Sequence, residues 1–147
     1  MCQYHLSISV VTYCTEKSMI TTTFKKLQRA VTDAEVVSSL IVVDHSPSSD
    51  FAIKYEDVSK SFIGDHDLIF AQSNPGFGAG HNRALQTDAK YHLILNPDLE
   101  VAPDALKNAL EFMEQHPDCG LLTPFATWED GEVQRLCKGY PTVFDLL

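Results

Sequence analysis

Apolar residues along the chain form two kinds of stretch: short unbroken runs, and longer segments with apolar positions three and four apart. Residues 5–13 (HLSISVVTY) are rich in β-branched side chains and predict a first strand. From residue 16 to 30, Met19, Ile20, Phe24, Leu27 and Ala30, with Val31 beyond them, keep helical spacing. Thr15 is the expected N-cap of that helix, with Glu16 in its first turn and Lys25, Lys26 and Arg29 in its last. Residues 40–44 (LIVVD) predict a second strand and 45–50 (HSPSSD) a loop. Residues 51–62 read as a short helix or an irregular linker. A third strand at 68–72 leads into a glycine-rich loop at 73–80 (SNPGFGAG), and a helix begins near Gly78 and runs to 87. The run at 91–95 predicts a fourth strand, stopped by Asn96-Pro97-Asp98, since Pro97 has no N–H for a ladder. Residues 105–115 carry Leu106, Ala109, Leu110 and Met113 on one helical stripe. A fifth strand is expected at 119–124, and Asp130-Gly131 signals a hairpin turn whose return strand is 133–136.

This alternation predicts an α/β fold: a Rossmann-like, mostly parallel central sheet with helices on both faces, in a single domain over 1–147. Leu93, Ile94 and Leu95 are expected to be buried on both faces of a central strand. The strands then deliver Thr12, Tyr13, Asp44, Asn96 and Asp98 to one edge of the sheet, where open α/β sheets bind ligands. The third strand adds Asn74 and the loop glycines Gly76 and Gly78. Glycine there permits positive φ and close backbone approach, and the helix that follows offers free N–H groups to an anion. Asn82, one turn into that helix, can point its amide at the same place.

Charge changes the picture. The chain of 147 residues has a net charge of −9, which argues against nucleic acid or an anionic membrane as a partner of a basic face. An anionic ligand would need a metal or backbone amides. The four cysteines (Cys2, Cys14, Cys119, Cys137) form no C-x-x-C and read as free thiols in a reducing cytosol. The run at 7–12 is too short to cross a bilayer. Gly76-Phe77-Gly78-Ala79-Gly80 suggests a dinucleotide fingerprint, but His81 stands where the third glycine belongs, and the motif follows the third strand rather than the first. Glu129-Asp130 precedes Gly131 and reads as part of a turn, not as a catalytic pair.

Taken in order, Val10-Val11-Thr12-Tyr13, Val42-Val43-Asp44, Asn74-Pro75-Gly76-Phe77-Gly78-Ala79-Gly80-His81-Asn82, Leu95-Asn96-Pro97-Asp98, Gly120-Leu121-Leu122-Thr123-Pro124, Asp130-Gly131-Glu132-Val133-Gln134 and Tyr140-Pro141-Thr142 resemble a known family. The chain is similar to the N-terminal nucleotide-sugar-binding half of family 2 glycosyltransferases, with their GT-A fold, in the rhamnosyltransferase-like branch. The resemblance implies that Thr12 and Tyr13 line a base pocket and that Asp44 binds base or ribose. It implies that Asn74, Gly76, Gly78, Asn82 and Asn96 shape the nucleotide cleft. Asp98 stands at the metal-binding carboxylate of the D-x-D motif and would hold Mg2+ or Mn2+ on the diphosphate; Asn96 replaces the first acid. Cys14 stands where many relatives carry Asn. The family's acceptor site and catalytic base lie downstream of a Tyr-Pro-Thr segment such as 140–142. The chain therefore reads as a donor-binding half, without the acceptor-binding part and with its catalytic base unassigned.

The expected function is that of a glycosyltransferase binding a dTDP- or UDP-sugar for bacterial surface polysaccharide synthesis. It would work in the cytoplasm at the inner face of the membrane, on a lipid-linked acceptor. A homodimer or a partner chain would complete the acceptor site. Two other readings stand beside it: a non-catalytic, self-associating protein with an apolar patch at Val143, Phe144, Leu146 and Leu147, and a nucleotide-cofactor oxidoreductase.

Overall fold

The computed structural model describes residues 4–50, 52–71, 73–85, 88–128 and 130–134. Four parallel strands, β1 (Tyr4–Thr12), β2 (Ser38–Asp44), β3 (Asp65–Phe70) and β4 (Ala89–Leu95), form one sheet in the order β3-β2-β1-β4. Helices α1 (Lys17–Asp33), α2 (Tyr55–Ser59) and α3 (Phe77–Ala84) connect them, and α4 (Ala105–Gln115) follows β4. The parallel sheet and helices implied by the alternating pattern are present. The chain divides into two compact units, residues 1–108 and 109–147.

The first unit holds the sheet. Steps from β1 to β2 and from β2 to β3 run in one direction across it, and the step from β3 to β4 runs back past both to the far side. Parallel crossovers are right-handed, so the reversal puts α3 on the face opposite α1 and α2. The contacts agree: α1 touches α2, and α3 lies on β1 and β2. One face of the sheet is apolar. Leu6, Ile8, Val10, Leu40 and Val42 are buried there, matched by the buried stripe Ile20, Phe24, Leu27, Ala30 and Val31 of α1. Alternation along β1 turns Ser7, Ser9 and Val11 the other way, toward α3.

Several expectations need correction. β4 is an edge strand among the described residues, pairing with β1 alone, and Ile94 is 51% exposed. It falls on the α3 face, and α3, only eight residues long, covers β1 and β2 instead. The N-cap of α1 is Glu16, whose carboxylate accepts from the Ser18 hydroxyl but caps no backbone N–H of the helix; the Thr15 hydroxyl accepts from the Tyr13 N–H at 3.3 Å. The helix runs on to Asp33, so Lys25, Lys26 and Arg29 stand before its last turn. In the second unit, residues 119–124 form no strand, and Leu121 is 84% exposed with no ladder partner among the described residues. The hairpin does form, from β5 (Ala126–Thr127) to β6 (Val133–Gln134), turning through Gly131 at φ 86°. The segment 135–147, including the proposed apolar patch and the Tyr-Pro-Thr motif, lies outside the described residues, as do Gln72, Thr87 and Glu129.

The apolar face predicts the cost of opening it. Phe24→Ala, at a fully buried position, is expected to lower the unfolding free energy by about 3–5 kcal/mol. Urea denaturation measures this, and a loss under about 1 kcal/mol would show that Phe24 is not a core residue.

Candidate functional site at the carboxyl edge of the sheet

Because the crossover from β1 departs toward β2 while β4 lies on its other side, the carboxyl ends of β1 and β4 diverge. Such a switch point is where doubly wound sheets open a ligand crevice. Thr12 and Tyr13 stand on one side of it, and Asn96 and Asp98 on the other. The Thr12 hydroxyl is buried without a hydrogen-bond partner, whereas the Tyr13 ring is exposed. The segment after β4 is held against α1: the Thr23 hydroxyl donates to the Pro97 carbonyl at 2.8 Å, and Lys26 pairs with Glu100 at 3.6 Å. Asn96 and Asp98 remain exposed on this fixed support, and among the described residues nothing bonds to either side chain.

Asp44 is placed differently. It is 0% exposed, and both carboxylate oxygens accept backbone N–H groups, from Ser46 at 2.8 Å and Ile53 at 2.6 Å. In this structure its carboxylate closes the loop after β2 rather than facing the crevice. The Ser46 hydroxyl in turn accepts from the Cys14 N–H at 2.9 Å. Cys14 has φ 48°, a left-handed conformation that Asn adopts more readily. The bond tying β1's exit to the loop after β2 therefore holds a strained backbone.

The glycine loop is locally wound. Asn74 Oδ1 accepts from the Gly76 N–H at 3.0 Å, an Asx turn, and Gly76 caps α3 at φ 98°. Gly80 is required by packing, since a Cβ there would sit 2.7 Å from Val11 Cγ2 and 2.9 Å from His45 Nε2. A Cβ on Gly78 would meet nothing within 4 Å, so that glycine leaves open space above the loop. Asn82 is exposed on α3. Phe70 and Phe77 join Tyr13 as exposed aromatic rings at the ends of β3, α3 and β1. In the sequence Phe70 reads as part of the third strand and Phe77 as part of the glycine-rich motif, and neither is named there as a site residue.

Beneath α3 lies a polar chain that the sequence reading also missed. Ser9 Oγ lies 2.7 Å from His81 Nδ1 and 2.8 Å from His92 Nε2, and Ser7 Oγ lies 2.6 Å from His92 Nδ1. Its members are far apart in sequence; the β1–β4 pairing brings His92 beside Ser7 and Ser9, and the packing of α3 on β1 adds His81. The available signal was period-two: Ser7 and Ser9 alternate with Leu6, Ile8 and Val10. Burial lowers the His81 pKa, helped by the charge of His92, and burial lowers that of His92. No group of three His, Cys, Asp or Glu among the described residues could hold a metal. Asp98 alone fits a hard cation that keeps its waters and shares a nucleotide's phosphates, as Mg2+ does.

The chain belongs to glycosyl transferase family 2, whose family model matches residues 7–136. Among solved structures it is similar to S. aureus TarS: to the 1-349 fragment with TM-score 0.61 and 23% identity, and to TarS itself with TM-score 0.62 and 24% identity. Both matches cover 77% of this chain, and respectively 33% and 20% of those chains. A third, TarS 1-349 in complex with UDP-GlcNAc, has TM-score 0.62 and 24% identity over 77% of this chain and 32% of that one. The chain therefore spans about a third or less of the TarS chains it matches. No curated protein sequence matches it.

Two outcomes follow from the buried polar groups. Asp44→Ala leaves two N–H donors without a charged acceptor and is expected to cost about 2–4 kcal/mol in urea denaturation. Both histidines are neutral in the fold where free imidazole, with a pKa near 6.5, already charges. The unfolded chain then binds more protons, so stability is complete above about pH 6.5 and declines below it, levelling off beneath the folded-state pKa values. Denaturation midpoints at pH 7.5, 6.5 and 5.5 check this, and a flat series would reject it.

Proposed function

We propose that the carboxyl edge of the sheet binds a nucleotide-diphospho-sugar, and that the chain serves as the donor-binding part of a glycosyltransferase of surface polysaccharide synthesis. One observation carries this reading: Asp98 and Asn96 are exposed, with no bond to either side chain among the described residues, on a segment that Thr23 holds to α1 across the switch point from Tyr13. The UDP-GlcNAc complex of a protein with the same fold supports a UDP-sugar as donor; dTDP-sugars remain the comparison. Tyr13 offers its exposed ring to the base, with Thr12 below it. Asn74, Gly76 and Gly78 form the loop that approaches the diphosphate, and Asn82 supplies an amide. Asp44, spent on Ser46 and Ile53, shapes the rim of the base pocket by fixing the loop after β2.

Asp98 would hold Mg2+ or Mn2+ together with the diphosphate. The ion would offset charge on the phosphates of a ligand that an acidic chain otherwise repels, and would stabilise the leaving nucleotide. Since Asp98 belongs to no group of three or more metal-ligating side chains among the described residues, metal affinity should depend on the nucleotide. Transfer also needs a base for the acceptor hydroxyl, a role we give to none of the described residues. A lipid-linked acceptor at the inner membrane face agrees with this reading. No helix among the described residues is long and apolar enough to cross a membrane.

The thermal midpoint decides the reading. UDP-GlcNAc with Mn2+ at about 100 times its dissociation constant adds about 2.7 kcal/mol, a rise of roughly 5–10 °C. Asp98→Ala is expected to keep the unliganded midpoint and lose the metal-dependent part of the shift. No shift with any UDP- or dTDP-sugar, with or without metal, would overturn donor binding.

A second reading, self-association, is favoured by the exposure of Leu121, Phe125 and Trp128 in the second unit. Light scattering should then give the mass of two or more chains, and a single-chain mass would reject it.

A further inference from the structure

Ser9 has one hydroxyl proton and three neighbours, the two imidazoles and the Leu93 carbonyl at 3.4 Å, so it accepts from at least one ring. Ser7 fixes the far nitrogen of His92 in the same way. His81 thereby ties α3 to β1, and through Ser9 to β4. One residue away, Gly80 presses on Val11 and His45 without room for a Cβ. These two contacts fix α3, and with it the glycine loop from Gly76, against the strand ends. The other ring nitrogen of His81 is buried with no partner. With the neutral ring's proton on Nδ1, donated to Ser9, protonation would place a second N–H donor there, where nothing accepts it.

We propose that His81, anchored by Ser9 and through it by His92, is a positioning residue that sets the glycine loop for the diphosphate of a nucleotide-sugar. The inference rests on the donor-binding reading above. The groups facing His81 are His92 of β4 and Phe77 of its own helix, the Phe77 ring lying edge-on at 4.3 Å, while His45 at the end of β2 lies against the neighbouring Gly80 and Arg83 is exposed two residues further along α3. His5, Lys90 and Asp88 lie further along the same face, and Asp65 and Asp67 of β3 stand two strands from Ser9. Among the described residues, no carboxylate bonds to either imidazole of the chain. Protonating His81 therefore loosens α3 instead of making a new ion pair, and the depressed pKa values of both rings agree with a site that resists the proton.

The probe is UDP-GlcNAc with Mg2+, whose diphosphodiester has no proton to gain near neutrality. Affinity is measured by calorimetry from pH 7.5 to 5.5, and His81 is followed by ring NMR with and without ligand. Affinity is expected to fall by up to about tenfold per pH unit once His81 charges. By the same linkage, saturation with ligand moves the His81 midpoint downward. Ser9→Ala is expected to weaken binding at pH 7.5 and flatten the profile; where that variant does not fold by circular dichroism, the wild-type titration decides. Binding that is independent of pH, or a His81 midpoint unmoved by ligand, would overturn the proposal and leave donor binding standing. No binding at pH 7.5 would overturn both.

Discussion

β1 is hydrogen-bonded on both sides, and the chain steps from it outward through β2 to β3 before crossing back to β4 on its other side. Most of the molecule's first unit follows from that arrangement. Right-handed crossovers divide the helices between two faces, so β1 must offer one apolar side to α1 and another side to a helix of eight residues. The same reversal opens the crevice between the ends of β1 and β4. The residues that could meet a ligand are those that emerge there, and the segment carrying Asp98 is steadied by the α1 that β1 itself launched, through Thr23.

How much of this the sequence disclosed depends on what each signal measures. The carboxyl ends of β1, β2 and β4 were placed at or within a residue of where they stand, because an apolar run stops sharply where a strand leaves the core. Strand beginnings were less visible: Asp65, His66 and Asp67 belong to an edge strand whose side chains need not be apolar. Ile94 was read as buried since a run of three apolar residues does not reveal that its strand is at the edge. The fifth strand failed for a similar reason, as residues 119–124 are apolar enough for a strand but have no ladder to join among the described residues.

The candidate site was legible as a set of positions and not as a set of roles. Asp44 and Asp98 look alike in sequence, each an acid at or just after a strand end. They differ in what the following residues do. Beyond Asp44 the chain turns so that the amides of Ser46 and Ile53 converge on the carboxylate. Beyond Asp98 the turn is made by the backbone of Asn96 and Leu99, which leaves the carboxylate in water. Nothing in a side-chain pattern reports where amides nine residues on will point.

The polar floor under α3 carries a cost that bears on its purpose. Ser7, Ser9 and Ser39 occupy buried positions where the other face of the same strands uses Leu, Ile and Val, each good for roughly 1.5–3 kcal/mol of burial. Ser39 Oγ and His81 Nε2 are not even bonded. A helix held only by apolar contact can slide, as dispersion is not directional, whereas a hydrogen-bonded chain through Ser9 fixes one register of α3 on β1. Gly80 closes the remaining freedom by bringing backbone onto Val11. The arrangement trades stability for a defined position of the loop that begins at Gly76, which is the trade expected where a backbone, rather than a side chain, must meet a ligand.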